Sequence, residues 1–274
     1  VAALFTPRSC IVVVLLSCLT ALPAVADSNL AEAWRKVAGH LYTEAGLALR
    51  GAGESREREL AGAVMLAAQQ PTTDERLREV ERRLTALAES ADDAVSAAAL
   101  YLAGRLHQVH FSRVDYVQAA RYFETAATRF PSSHWAQLGL VKLALLQLYM
   151  LPEPGGPKVR LAKTDALLPR VTIPQLRRDL LIVLGRTRIF YEQPLDEVLQ
   201  NLLAADTIGG LTGPALGEFL LQIAELSLRA DHLRQSRDYF TRYLELNTAD
   251  PRAYTANERL KQIEVRLAAG EDAS

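Results

Sequence analysis

DYVQAARYFETAATRFP, residues 115–131, decides the fold. Ala119, Phe123 and Ala126 stand at i, i+4 and i+7, a spacing that places all three on one face of an α-helix. A small residue four before an aromatic lets a second helix approach closely while the ring fills the space beside it. Pro131 ends the stretch, since an interior proline costs a helix about 3 kcal/mol. The same spacing returns in HLRQSRDYFTRYLELNT, residues 232–248, with Ser236, Phe240 and Tyr243 in the equivalent places. Comparable helix starts at Tyr116, Leu195 and Leu233 lie 79 and 38 residues apart, so a helix pair recurs about every 39 residues.

Prolines punctuate the rest of the chain. Pro71, Pro131, Pro169, Pro174, Pro194, Pro214 and Pro251 fall between apolar-periodic stretches or in their first turns, and Pro152, Pro154 and Pro157 make LPEPGGP a central loop. No β-branched run with period-2 alternation occurs after residue 26, which makes the chain all-α. The pattern predicts a leading helix over 29–49 and pairs at 55–69 with 74–89, 92–109 with 114–129, and 133–150 with 159–168. Further pairs are expected at 175–191 with 195–206 and 214–230 with 232–246, followed by a capping helix over 252–268 that stops at Gly270.

These paired motifs resemble tetratricopeptide (TPR) repeats, with the unit lengthened from the usual 34 residues. The likeness is fullest over 96–150 and nearly as full over 214–250, where Ser236 replaces the small residue and Thr248 the packing proline. The stretch 96–150 is similar to periplasmic TPR proteins of the Tol–Pal system and to outer-membrane lipoproteins that assist barrel assembly. That resemblance implies a right-handed solenoid of antiparallel helix pairs over 91–274, preceded by a helical segment over 27–90 that shows periodicity only. It implies packing roles for Ala119, Phe123, Ala126, Pro131, Ser236, Phe240 and Tyr243. It also implies a concave groove lined by first helices, which bind a protein or peptide. Carried over by helical phase, the groove candidates are Tyr101, Gln108, Trp135, Lys142, Tyr149, Arg186, Phe190, Glu218 and Glu225. Each aromatic among them has core packing as its competing role, and each charged one plain solvent exposure.

Residues 1–26 carry a secretory signal pattern: Arg8, the apolar run Ile11–Leu16, then Pro23 ahead of Ala24-Val25-Ala26. Cleavage there makes Asp27 the first residue of a periplasmic protein. The alternative is a loose lipobox, Leu15-Leu16-Ser17-Cys18, that would anchor an outer-membrane lipoprotein through Cys18. The apolar run is too short to span a bilayer. Cys10 and Cys18 are the two cysteines, so the chain after Ala26 has no disulfide, thiolate ligand or thiol nucleophile. With 31 basic and 32 acidic residues the whole chain has a formal charge of −1, which lacks the basic footprint of a nucleic-acid binder.

Catalytic motifs are equally sparse. His107 and His110, with Asp115 near, offer two imidazoles at i, i+3 but no third ligand at metal spacing, so neither metal nor other cofactor is expected. Glu54-Ser55 and Glu89-Ser90 resemble the Glu-Ser dipeptide of lytic transglycosylases, but the other motifs of that family are missing. RGAGES has neither the preceding strand nor the following Lys-Ser/Thr of a phosphate loop. The expectation is a non-enzymatic scaffold or adaptor in the cell envelope. A helical periplasmic enzyme or glycan-binding component of cell-wall metabolism is the alternative, and an acidic pair facing one cleft would favour it.

Overall fold

A computed structural model describes residues 27–246 and 250–271. The signal and lipobox readings, Cys10, Cys18 and Thr248 therefore lie outside the described residues. Among these there are thirteen α-helices and no strand. The helices are α1 (Ser28–Ala38), α2 (Tyr42–Gly51), α3 (Arg56–Ala68), α4 (Asp74–Ser90), α5 (Ala94–Arg105), α6 (Tyr116–Arg129) and α7 (His134–Tyr149). After them come α8 (Gly156–Asp165), α9 (Pro174–Phe190), α10 (Leu195–Ile208), α11 (Gly213–Arg229), α12 (Leu233–Leu246) and α13 (Ala253–Ala268). No helix among the described residues is long and apolar enough to cross a membrane.

Helix ends follow local chemistry. Side chains of Asp27, Ser55, Thr73, Asp93 and Asp115 each accept a backbone N–H of the first turn that follows. In α9 and α11 proline occupies the first turn, where its missing N–H costs nothing. The leading helix expected over 29–49 is two helices. His40 adopts φ 60°, the His40 N–H reaches Val37 O at 3.1 Å and the Leu41 N–H reaches Lys36 O at 2.8 Å. This left-handed cap satisfies the last carbonyls of α1 and turns the chain back.

The chain divides into two compact units between Pro154 and Gly155. Within the first unit, α4 packs directly on α5 and joins 27–90 to the helices that follow. The pair expected from 133–150 and 159–168 straddles the division.

In the first unit, α1, α3, α5 and α7 touch in succession, and each of the first three packs on the helix that follows it. The centre is Phe123, fully buried with Ala119 and Ala126 as the spacing predicted. Its ring lies 5.8 Å from that of Tyr101, which in turn lies 5.4 Å from Trp135. A Cβ on Gly104 would meet the Phe123 ring at 2.5 Å, so α6 sits on α5 at a distance only glycine permits. Pro131 is exposed, and its carbonyl accepts the Gln137 amide at 2.7 Å.

In the second unit the 39-residue period becomes visible as structure. Glu192, Asp231 and Gly270, spaced 39 apart, all have positive φ just beyond α9, α11 and α13. Each is followed by a residue whose N–H reaches back five places: Gln193 to Arg188 O, His232 to Ser227 O and Glu271 to Arg266 O. Three successive first helices thus end by one device. Phe240, Tyr243 and Ser236 are fully buried, and the Ser236 hydroxyl donates to Ala224 O at 2.8 Å across the α11–α12 contact.

Candidate functional site: the first-helix face and the clefts

Along α9, α11 and α13 a row of polar side chains links each first helix to the next. Arg186 Nε donates to Gln222 Oε1 at 3.3 Å, Arg252 Nη1 to Glu218 Oε2 at 2.9 Å, and Arg259 Nε lies 3.7 Å from Glu225 Oε1. The partners are 34–36 residues apart, about one turn short of the 39-residue period, so neighbouring pairs stack with a stagger of about a turn. The same offset recurs on the second helices, where His232 Nε2 meets Asp196 Oδ1 at 2.7 Å and Arg242 Nη1 meets Asp206 Oδ2 at 2.7 Å. Burial opposes ionisation of Asp206, but bonds from Arg242 and Tyr239 hold its carboxyl below the ordinary range.

Arg186 and Phe190 lie on α9, and Glu218 and Glu225 on α11. Phe190 is the most exposed aromatic on α9, 74% accessible, with its ring 5.2 Å from that of Tyr191. Each charged member is engaged across the helix row, Arg186 with Gln222, Glu218 with Arg252 and Glu225 with Arg259, which sets the register of the stack. Exposed pairs of this kind contribute only about 0–1 kcal/mol each.

In the first unit the groove candidates separate. Tyr101 and Trp135 are core residues, 1% and 6% exposed, and are removed from any recognition surface. The physical reason is crowding: α5 is packed by α4, α6 and α7, and nearly its whole length from Val95 to Gly104 is buried, so phase alone could not leave residue 101 outside. Gln108 is partly buried and accepts from Arg105 Nη1 at 2.7 Å. Lys142 is partly buried, whereas Tyr149 at the end of α7 is 46% exposed.

The two histidines have separate environments. The helix expected to run on to residue 109 widens after Arg105 into a π-turn over Leu106–His110, closed by the Phe111 N–H on Leu106 O at 3.1 Å. The turn places His107 Nε2 2.6 Å from Glu81 Oε1, the oxygen that also accepts from the Tyr122 hydroxyl at 2.9 Å. His110 is held neutral by burial and then by the Arg105 charge, which together lower its pKa from 6.5 to about 4. Among the described residues no group of three or more His, Cys, Asp or Glu side chains converges as metal ligands would.

Among the described residues, clefts open between neighbouring helices. In the first unit a cleft of ≈ 710 Å³ runs between α2, α3 and α4, with Leu49, Met65 and Leu87 along it and Arg50, Arg58, Glu54 and Glu59 at its edges. In the second unit a cleft of ≈ 800 Å³ is lined by Asp165 and Leu168, by Arg177, Leu181 and Arg188 of α9, and by Asn201, Ala204 and Ile208 of α10. Sequence reasoning assigned no role to Arg177, Arg188 or Asn201. Their only trace there is periodicity: 177, 181 and 188 fall on one stripe of α9. Neither known family models nor curated proteins match this sequence.

Proposed function

We propose that this protein is an exported scaffold or adaptor, a TPR-like right-handed solenoid that binds a protein or peptide partner in the cell envelope. The observation that carries this reading is the repeated first-helix cap at Glu192, Asp231 and Gly270 together with the staggered polar row. Stacked pairs of one period present a continuous first-helix face, and such a face recognises by contact rather than by chemistry. Phe190 beside Arg186 supplies the residue types that most often anchor an interface, with Glu218 and Glu225 as polar surroundings. Tyr149 is the corresponding exposed aromatic of the first unit. Periplasmic location and removal of residues 1–26 rest on the sequence pattern alone.

Co-purification from the native cell envelope, with bound proteins identified, tests the proposal. A partner should be retained by the wild-type chain and lost from the Arg186→Glu, Phe190→Ala double variant. Retention of the same partner by the double variant would move recognition off this face.

A second reading, a helical enzyme or glycan-binding component, draws on Glu54 and Glu59, which share the cleft of the first unit. Both are exposed and stand beside Arg50 and Arg58, whereas a general acid needs desolvation to keep its proton near neutral pH. Cell-wall glycan turnover unaffected by Glu54→Gln and Glu59→Gln would dismiss it.

A further inference from the structure

The surface of α13 divides into three stripes. Ala256 and Ile263 are buried, with Leu260 and Leu267 packed against the core beside them. On an adjoining stripe Arg252 and Arg266 donate to Glu218 and Asp231, and Arg259 lies beside Glu225, so this flank is tied to the neighbouring first helix and its cap. The third stripe carries Tyr254, Glu258, Lys261 and Val265. Steps of four, three and four residues keep these side chains within an arc of about 60°, directly opposite the buried one. Helices α9 and α11 are each followed by a second helix packed along them, whereas among the described residues none follows α13. Tyr254 is 75% and Val265 71% exposed, so an apolar side chain stands in water at each end of the stripe. Between them Lys261 Nζ donates to Glu258 Oε1 at 2.7 Å.

The order of these residues makes the stripe its own complement. Tyr254 and Val265 lie equally far from the midpoint between Arg259 and Leu260, and so do Glu258 and Lys261. We infer that α13 is a self-association surface that pairs antiparallel with α13 of a second copy. About a two-fold axis through that midpoint, each Tyr254 shares a layer with Val265 of the other copy, and each Glu258 with Lys261 of the other copy. The spacing of four, three and four is that of a coiled-coil seam, whose antiparallel form builds such mixed layers. A parallel pairing sets Glu258 against Glu258 and Lys261 against Lys261, so charge selects the antiparallel one. At the margins Thr255, Asn257 and Gln262 are uncharged, and Glu264 falls beside Asn257 of the other copy, so no like charges meet. The contact is small. The 16 residues of α13 extend about 24 Å and at a width of about 10 Å cover about 240 Å² on each copy. A standard interface covers about 800 Å² a side, so this dimer is weak, half formed at roughly 100 µM or above. It uses neither Arg186 nor Phe190 and is independent of partner capture. A crosslinker at position 265 therefore yields an adduct of two chains, distinct from that of any other protein.

Sedimentation equilibrium of the intact chain, carried to about 1 mM, tests the pairing. The wild-type chain should dimerise as concentration rises. Glu258→Lys fills the two central layers with positive charge and Lys261→Glu with negative charge, so either variant alone should self-associate at least about tenfold more weakly. Urea melts of both should match wild type, as expected at exposed positions. Mixed in equal amounts, the two variants should associate with each other about as well as wild type does with itself, because every central layer again pairs opposite charges. The inference is overturned if the wild-type chain stays monomeric over the whole range, if either charge variant dimerises as wild type does, or if the mixture fails to associate. A monomeric chain that captures another protein through Val265 would overturn it too, and give this face to that protein. Loss of partner capture by Arg186→Glu with dimerisation unchanged would sustain it as a separate surface.

Discussion

Replacing Gly104 by alanine tests the packing on which the first unit is built. A Cβ there would lie 2.5 Å from Phe123 Cε1 and 2.8 Å from Cδ1, whereas one on Gly139 would meet Phe123 Cδ1 at 3.6 Å. Carbon atoms rest about 3.5–4 Å apart, so Gly104→Ala must drive the ring back by about 1 Å. The ring has nowhere to go: Phe123 is fully buried, with Tyr101 5.8 Å away on one side. Overpacking of this kind costs about 1–3 kcal/mol. Both substitutions gain up to about 1 kcal/mol of helix propensity, so the difference between Gly104→Ala and Gly139→Ala isolates the clash. Both tryptophans, Trp34 and Trp135, lie in the first unit, so tryptophan emission during urea unfolding follows this unit. Gly104→Ala should unfold at lower urea than Gly139→Ala by about 1–3 kcal/mol at unchanged slope. In a Phe123→Leu background most of that penalty should vanish, a coupling of at least about 1 kcal/mol. Equal stability of the two alanine variants, or an undiminished penalty beside Phe123→Leu, would refute the close approach of α6 to α5.

Ala119→Arg should unfold the first unit, since a guanidinium would replace a fully buried methyl group and either splay α6 from its neighbours or bury a charge, at several kcal/mol by denaturant melt. Arg186→Ala on an exposed face should change the melt by no more than about 0.5 kcal/mol. The folded chain keeps His110 neutral down to about pH 4 while the unfolded chain protonates it below about 6.5. Its contribution is thus full above pH 6.5 and is lost as pH falls towards 4. His110→Gln should flatten the stability profile in that window by at most about 3 kcal/mol, measured by melts across pH. Intact-mass measurement of the exported protein should give a chain beginning at Asp27; a diacylated species beginning at Cys18 would make it a lipoprotein.

Much of the fold was legible because it is written in spacing. Prolines mark an end of most helices, though none marks α2 or α5, and Ala119-Phe123-Ala126 and Ser236-Phe240-Tyr243 are buried where their phase puts them. The break at His40 was hidden because Gly39-His40-Leu41 interrupts an apolar pattern that continues in phase on either side, and one left-handed residue suffices to turn the chain. The surface was harder to read than the core. Phase sorts residues around one helix, but whether a face is open depends on how many helices surround it. Tyr101 on crowded α5 is core, whereas Phe190 at the end of α9 is open. Gly104 and Gly185 mark the closest helix approaches, to Phe123 and Leu202, and a glycine inside a helical pattern was the available signal for both.

The central claim is that the first-helix face of the second unit contacts a partner. A photo-crosslinking amino acid placed at position 190, in the cells that make the protein, tests it most directly, with position 265 on exposed α13 as the reference. The account predicts a discrete adduct from position 190 that weakens with Arg186→Glu and is absent from position 265. Equal adducts from both positions, or an adduct from position 190 indifferent to Arg186→Glu, would contradict it.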